Sequence, residues 1–576
     1  IPSMTYAEAM EMSHFGAKVI YPPTIQPALQ ANIPLYIKNT FEPEFKGTLV
    51  SHEADDGKNP IKGVTSIKDV ALLTLQGSGM MGVPGSSARL FGSLGRSKVN
   101  IILITQGSSE HSITFAINPD HTNKALEVLN EEFINEMQQG LINPIKVEND
   151  LCTVAVVGEN MKAQPGIAGQ MFSALGKNGV NITAIAQGSS ELNISTVIKR
   201  SDEEKALNAM HEAFFLSDTK VLHVFMVGVG LIGGTLLEQI QAQNEVLQER
   251  QSMEIKIAGL SNSRKMLFDK NGLDLSNWKE NLLENGTPRE SLTEFIDEMK
   301  SLNLRNSIFI DNTASADVAK HYASILNASI SISTPNKVAA SADYASYKSL
   351  KDLAKKRNVE FVYETNVGAG LPVISTLENL TSSGDVITQI EGVLSGSLSF
   401  IFNTFKSGAS FSDVVREAKK AGYTEPDPRE DLSGKDVQRK ILILSREAGY
   451  PLEMEDITIE PLLPKACIDA TSVDDFFVEL DKANDYFSNL LSEAESKQHK
   501  LRFVASMKNG KAIISLKSVD SSHPFYGLSG SDNIVVFTTE RYSNTPMVIR
   551  GPGAGAAVTA AGVFAEIITI GNRLFD

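Results

Sequence analysis

An internal duplication constrains the fold of this 576-residue chain more than any other feature. The stretch SGMMGVPGSSARLFGSLGRSKVNIILITQGSSEHSITFAI starts at Ser78, and ENMKAQPGIAGQMFSALGKNGVNITAIAQGSSELNISTVI starts at Glu159. Pro84 and Pro165, Phe91 and Phe172, Asn100 and Asn181, Gln106 and Gln187, Glu110 and Glu191 all keep one offset of 81 residues. Each copy reads strand, Gly-Pro turn, amphipathic helix, strand, hairpin, strand, helix. That order predicts two βαββαβ ferredoxin-like units. A QGSSE loop recurs at the same place in both, so two copies packed side by side would build equivalent ligand clefts.

A different texture begins at Leu222. LHVFMVGVGLIGGTLLEQI is an apolar strand, then Gly228-x-Gly230-x-x-Gly233 enclosing Leu231 and Ile232, then a helix. In that context the glycines predict a tight turn that lets backbone approach a dinucleotide pyrophosphate, with free N–H groups facing the anion. The next strand, Ile255–Leu260, ends in Ser261-Asn262-Ser263-Arg264. An arginine and small hydroxyls in place of an acidic residue favour a 2′-phosphate, hence NADP, although a solvated surface arginine would look the same. Strands at Ser307–Ile310, Ala328–Ser333 and Val359–Tyr363 alternate with helical stretches, predicting a parallel doubly wound sheet. DNTAS and STPNK follow two of these strands and set Thr313 and Lys337 where such sheets bind ligands. Pro335 and Asn336 alone would read as a structural turn. The loop Glu364–Pro372 reads equally as a hinge or as carbonyls around a hard cation. EGVLSGSLSFIFNTF predicts a strand, a turn and an apolar helix; further strands are expected at Leu501–Met507 and Ala512–Val519. GPGAGAAVTAAGVFAEI, from Gly551, predicts a glycine loop entering an Ala-rich helix, with Gly553 or Gly555 near a cofactor.

Between them lies GYTEPDPREDLSGKDVQRK, Gly422 to Lys440. Prolines at 426 and 428 predict a loop before a helix that starts at Lys435, with Ser433 as N-cap. On that helix Asp436 and Lys440 share a face, and Glu425 in the loop can fold over it. Two carboxylates and an ammonium would then converge on a small polar ligand. Taken alone, the stretch is better explained by a solvated helix with an i,i+4 ion pair of roughly 0.3–0.5 kcal/mol.

A net charge of −16 argues against a general nucleic-acid or anionic-membrane binder. No run of eighteen apolar residues predicts a membrane span, and the N-terminus has no signal-peptide pattern. Two separated cysteines, Cys152 and Cys467, exclude a disulfide framework and suit a reducing compartment. The first residues read as the inside of a helix, with Ala9, Met12 and Ala17 on one side, as in a fragment of something longer. A helix at Thr24–Ala31, a strand at Ile33–Asn39 and a polar linker at Ser51–Pro60 follow.

The duplicated units resemble the tandem ACT domains of aspartate kinases, and TYAEAMEMSHFGAKVIYPPT resembles the closing segment of their catalytic domain. Tyr21-Pro22-Pro23 departs from the family's His-Pro-basic ending, and the Lys-Phe-Gly-Gly opening is absent, so no kinase activity is expected of this sequence. From Leu222 onward, GYTEPDPREDLSGKDVQRK, DNTAS, TPNK, ETNVGAGLP, EGVLSGSLSFI and GPGAGAAVTAAGV fall in the order of homoserine dehydrogenases, with Gln438 where alanine is common. The whole chain resembles the bifunctional aspartokinase/homoserine dehydrogenases.

The resemblance implies an α/β and α+β architecture: a kinase remnant and linker (1–60), two ACT domains (61–140 and 141–219), a Rossmann domain (220–366), a catalytic and dimerisation domain (367–540) and a segment returning to the nucleotide-binding domain (541–576). It implies NAD(P)H-dependent interconversion of aspartate 4-semialdehyde and homoserine, with Lys440 as proton donor and Lys337 assisting. Glu425 and Asp436, and less strongly Asp431, would bind substrate. Besides Gly228, Gly230, Leu231, Ile232, Gly233 and Arg264, cofactor contacts would include Thr313, Ala314, Lys337, Gly422 and Gly555. Glu364, Val367, Ala369 and Leu371 would line a sodium site, while Gln106 and Gln187 would contact an effector such as threonine. A homodimer or homotetramer in the cytoplasm, or in a plastid, is implied. One rival is an acyl-level semialdehyde dehydrogenase, which would need Cys152 or Cys467 as nucleophile. Another is a catalytically silent amino-acid sensor.

Overall fold

The computed structural model describes residues 1–16, 20–53, 60–107, 111–161, 164–188, 192–215 and 220–575. Ala17, most of the 51–60 linker and the tips of both QGSSE loops, including Glu110 and Glu191, lie outside these. The chain divides into two units, Ile1–Lys220 with Asn303–Arg305, and Val221–Leu302 with Asn306–Asp576.

In the first unit the helix Tyr6–His14 starts at a reciprocal cap: Thr5 Oγ1 accepts from Glu8 N (3.1 Å), and Glu8 Oε2 accepts from Thr5 N (2.9 Å). A strand, Ser3–Thr5, precedes it, where the sequence predicts helix. That strand pairs with Thr48–Ser51, which also pairs with Leu35–Ile37.

The repeats form one six-stranded sheet ordered Ile101–Gln106, Ser112–Ile117, Gly63–Gln76, Lys146–Val157, Asn193–Lys199, Ile182–Gln187. Each copy supplies three strands, not four. The two long strands at the centre do double duty: Ala71–Gln76 pairs with its own copy's strand, while Gly63–Ile67 pairs with Thr153–Val157 of the other copy. Past a β-bulge near Val70 the pairing with the other copy resumes, Leu72–Thr74 against Lys146–Glu148. Alternate residues on the first long strand part to two cores. Ala71, Leu73 and Leu75 join Leu90, Leu94 and Leu129 from helices, whereas Val70 and Leu72 join Leu103, Ala184 and Val197.

In the second unit a seven-stranded sheet runs Thr287–Pro288, Lys265–Phe268, Met253–Ser261, Lys220–Val227, Ser307–Asp311, Ser331–Ser333, Phe361–Val362. The last four strands pair parallel, as predicted. Lys265–Phe268 and Thr287–Pro288 add an antiparallel edge that the sequence does not announce. Asn262 causes the reversal: its Oδ1 accepts from Arg264 N and Lys265 N, both at 2.7 Å, closing a turn too short for a crossover helix.

The second sheet of this unit is ordered Ile457–Ile459, Lys511–Val519, Lys500–Lys508, Ile387–Val393, Asp532–Thr539, Met547–Pro552 and is antiparallel apart from its first pair. The predicted strand and apolar helix at Glu391–Phe405 appear as Ile387–Val393 and Gly396–Thr404. The final helix, Ala556–Phe575, is by length and apolarity the one described helix able to cross a bilayer. Here Ala560, Val563, Ile567 and Ile570 bury one side of it in the core of the parallel sheet, with Leu222, Leu236 and Ile308.

Candidate active site

The site starts from the glycine turn. Gly228 has φ +91°, and a Cβ there would lie 2.8–2.9 Å from Asn312 and Thr313; a Cβ on Gly233 would collide with the Gly228 carbonyl. The turn is therefore open only to glycine, and it brings the ends of strands Lys220–Val227 and Ser307–Asp311 together. These strands flank the point where chain order reverses in the sheet, the crevice where such folds bind ligands. Space above Gly230 is clear, and Leu231 is 79% exposed. The helix Leu231–Gln251 begins here, so its first N–H groups face the crevice. Asn312 beneath the turn has both amide atoms buried without a partner among the described residues.

DNTAS and STPNK are tied together by Asp311, which is fully buried. Its carboxylate accepts from Thr313 N (2.8 Å), Thr313 Oγ1 (2.6 Å), Tyr322 OH (2.7 Å) and Asn336 Nδ2 (2.9 Å). Asn336 Nδ2 also donates to Ser315 O (2.9 Å). Burial pushes the Asp311 carboxyl pKa up, and these hydrogen bonds oppose that. The network leaves Ala314 exposed beside the turn and starts the short helix Lys337–Ala340 at Asn336.

Lys337 then meets the motif between 422 and 440. Its Nζ lies 3.3 Å from Asp436 Oδ1, and Lys440 Nζ lies 2.8 Å from Asp436 Oδ2. Lys440, 8% exposed, also donates to the Leu394 carbonyl (2.7 Å), which accepts from Asn533 Nδ2 as well (3.2 Å). Asp436 is half exposed, so the bridging anion faces open space. Burial would raise its pKa, but the charges of Lys440 and Lys337 and their hydrogen bonds hold it well below the usual carboxylate range. Burial lowers the Lys337 pKa, Asp436 pulls it back up, and Lys440 pushes it down again.

The approach to that helix differs from the prediction. Residues Pro428–Leu432 form a helical turn capped by Asp427, not a loop. Gly434, at φ +73°, occupies the N-cap position of the helix Lys435–Glu447; Ser433 closes the preceding turn, and its hydroxyl accepts from Lys435 N (3.3 Å). A residue in the left-handed region reverses the chain between two helical segments, which serine does not readily do. Asp431 accepts from Ser397 Oγ and from Glu425 N, both at 2.8 Å, so its carboxylate shapes the Glu425 loop. Glu425 itself is exposed.

Other expected residues fall at different places. Gly422, at φ +76°, ends the helix Phe411–Lys420. Gly555 opens the final helix, accepting from Thr559 N (3.0 Å), and the neighbouring Gly553 packs so closely on Asn533 that a Cβ would collide with it. Glu364 spends its carboxylate on the start of helix Ile374–Ser382, accepting from Ile374 N (2.6 Å) and Ser375 N (2.8 Å). The carbonyls of Glu364 and Leu371 accept from Val367 N (3.2 Å) and Val373 N (2.9 Å). No cluster of three or more His, Cys, Asp or Glu side chains suited to a metal occurs among the described residues. Gln106 and Gln187 end equivalent edge strands, both exposed. Arg264 is exposed, and its carbonyl accepts from Arg289 N (2.8 Å); Arg289, which the sequence does not single out, has Nη1 buried without a partner among the described residues.

Family models match this chain in four stretches: ACT domain at 73–133 and 154–214, homoserine dehydrogenase NAD binding domain at 228–364, and homoserine dehydrogenase at 372–568. A bifunctional aspartokinase/homoserine dehydrogenase of Haemophilus influenzae is 42% identical over 99% of this chain and 69% of its own length. The chain belongs to this family. An Arabidopsis thaliana bifunctional aspartokinase/homoserine dehydrogenase 2, chloroplastic, is also 42% identical, and the chain spans 63% of it. A Candida auris crystal structure of unknown function is 35% identical, with a TM-score of 0.57 over 62% of this chain and 99% of that one.

In this family member the tandem ACT units and the homoserine dehydrogenase module are the stretches that the family models match. Neither cysteine suits a thiolate rival. Cys152 and Cys467 are fully buried, and burial, with nearby carboxylates, pushes Cys152 up to about 12 and raises Cys467. The module also contains contacts invisible in the motif. Leu394 acts through a backbone carbonyl, and Asn533 lies nearly a hundred residues from Lys440 in sequence.

Proposed function

We propose that this chain interconverts aspartate 4-semialdehyde and homoserine with a nicotinamide cofactor, and that Lys440, Asp436 and Lys337 are its working residues. The observation that carries the reading is a single carboxylate, Asp436, shared by two ammonium groups at 2.8 and 3.3 Å in a partly open site. The cofactor, when bound, supplies or accepts the hydride at the carbonyl carbon. Gly230, the exposed Leu231 and Ile232 would hold its pyrophosphate side, with Thr313, Ala314 and Gly555 at the crevice rim.

Lys440 would give a proton to the aldehyde oxygen and stabilise the developing alkoxide. Its donors are aimed by the Leu394 carbonyl and by Asp436. Lys337 adds a second positive charge on the far side of the same carboxylate. The exposed edges of Asp436 and Glu425 would accept hydrogen bonds from the substrate ammonium. Asp431 holds the Glu425 backbone and acts at one remove.

Arg264, joined backbone to backbone with Arg289 after the second strand, supports NADP over NAD, because a guanidinium there in place of a carboxylate would favour a 2′-phosphate. Gln106 and Gln187 are proposed to contact an amino-acid effector, threonine being the first to test. The division at 60, 140, 219, 366 and 540, a homodimer or homotetramer, and a cytoplasmic or plastid setting belong to the same reading; the sodium site rests on the resemblance alone. Consumption of NADPH, and more slowly of NADH, with aspartate 4-semialdehyde tests the proposal. A protein that binds amino acids but consumes neither would favour the sensor.

A further inference from the structure

Lys440 and Lys337 reach Asp436 from different elements. Lys440 stands on the long helix Lys435–Glu447, and Lys337 on the single turn Lys337–Ala340 that follows the parallel sheet. Their common partner is half exposed and does not by itself fix the spacing. The residue that spans the two elements is Arg446, six positions beyond Lys440 on the same helix, with no exposed side-chain area. Its Nη1 donates to Ala340 O (3.1 Å) and Ala342 O (2.6 Å), its Nε to Leu452 O (3.0 Å), and its Nη2 to Glu453 Oε2 (2.9 Å). Glu453 in turn accepts from Tyr344 N at 2.9 and 3.1 Å. The rings of Tyr344 and Tyr347 lie 5.7 and 5.3 Å from the guanidinium.

A contact needed only for packing would be better made by an apolar side chain, because burying a cation is costly. A guanidinium that donates through Nη1 to two carbonyls two residues apart, and through Nε and Nη2 to other partners, does something that methionine or leucine cannot. Those carbonyls end the short turn that begins at Lys337. Arg446 therefore fixes that turn to the helix that carries Asp436 and Lys440. The adjacent Glu447 grips a different place: it accepts from Tyr347 OH (2.7 Å), pairs with Lys351 (3.3 Å) and meets Tyr363 OH. It holds the helix Tyr344–Arg357, whose first turn Arg446 also meets through Glu453 and the rings of Tyr344 and Tyr347.

We propose that Arg446 is a positioning residue, setting the distance between Lys337 and Asp436 by clamping the Ala340–Ala342 turn. The proposal rests on the assignment of the dehydrogenase reaction to these lysines. Loss of the guanidinium frees the turn and draws Lys337 away from Asp436. Lys440 keeps both of its own contacts.

The test is a double-mutant cycle in the full chain: Arg446→Met, Lys337→Ala and the pair, with kcat and KM measured for aspartate 4-semialdehyde under saturating NADPH. Both single variants are expected to lose a similar factor in kcat, roughly ten- to a hundredfold. The pair should be no worse than Lys337→Ala alone, and Arg446→Lys should recover part of the loss. Losses that multiply in the pair, an unchanged kcat in Arg446→Met, or an unchanged kcat in Lys337→Ala would each overturn the proposal while leaving an active wild type. A wild type with no turnover would overturn the dehydrogenase reading and this proposal with it. If Arg446→Met fails to fold, Glu453→Gln serves instead. It should give a smaller loss that disappears in the Lys337→Ala background, and a loss that persists there would count against the clamp.

Discussion

Asp436 sits between two ammonium groups, and at the scale of single residues this sets how the site titrates. Its carboxyl is held far below the ordinary range, so it stays ionised wherever the protein would be assayed, and it cannot supply the acid limb of a pH profile. Lys337 is different: burial already lowers its pKa, and Asp436 is the partner that raises it. Asp436→Asn removes that support, so Lys337 should lose its proton at lower pH. The alkaline limb of kcat/KM is predicted to move to lower pH in this variant. A limb that stays in place would mean that Lys337 does not titrate in the rate. The spacing of Asp436 and Lys440 is legible in sequence, because residues four apart on a helix share a face. The Leu394 carbonyl is not legible, since every residue has one. Asn533 and Arg446 are hidden for another reason: their partners lie on elements that only the tertiary fold brings near.

At the scale of elements, the final helix is fixed to the nucleotide-binding core by a buried acid. Glu566 accepts from Ser333 Oγ and from Glu364 N. Burial is the main reason that its pKa is pushed up to about 8; the hydrogen bonds oppose this, and the charge of Glu364 adds to it. A carboxyl whose folded pKa exceeds its unfolded value stabilises the fold while protonated, and that contribution is lost as pH rises through the folded value. Glu566→Gln keeps a neutral group of the same shape. Between about pH 6 and about pH 9 the Tm of the wild type should fall further than that of Glu566→Gln. Equal falls would show that Glu566 is ionised throughout. The Ala-rich helix, the apolar strands and the glycine turn were all readable from local pattern. The antiparallel edge at Lys265–Phe268 was not, because it depends on one Asn262 side chain closing a turn. The helical turn before Lys435 escaped for the same kind of reason: two prolines suggested a loop, yet Pro428 is well suited to the first turn of a helix.

For the whole molecule, the duplication was the clearest signal, and its fixed offset gave two like units. What the offset could not give was the sharing of long central strands, since strand pairing between copies is a non-local choice. Threonine at about a hundredfold over its Kd should stabilise the native chain by about 2.7 kcal/mol if it binds only that state. Gln106→Ala and Gln187→Ala should each reduce the thermal shift and any accompanying inhibition of the dehydrogenase. A shift unchanged in both variants would remove these glutamines from effector binding. The account as a whole depends on the chemistry of one ammonium group. The most direct measurement is steady-state turnover of aspartate 4-semialdehyde by Lys440→Ala, with NADPH affinity measured in parallel by fluorescence. The prediction is a kcat lower by roughly a hundred- to ten-thousandfold with NADPH affinity intact; wild-type turnover in that variant would contradict it.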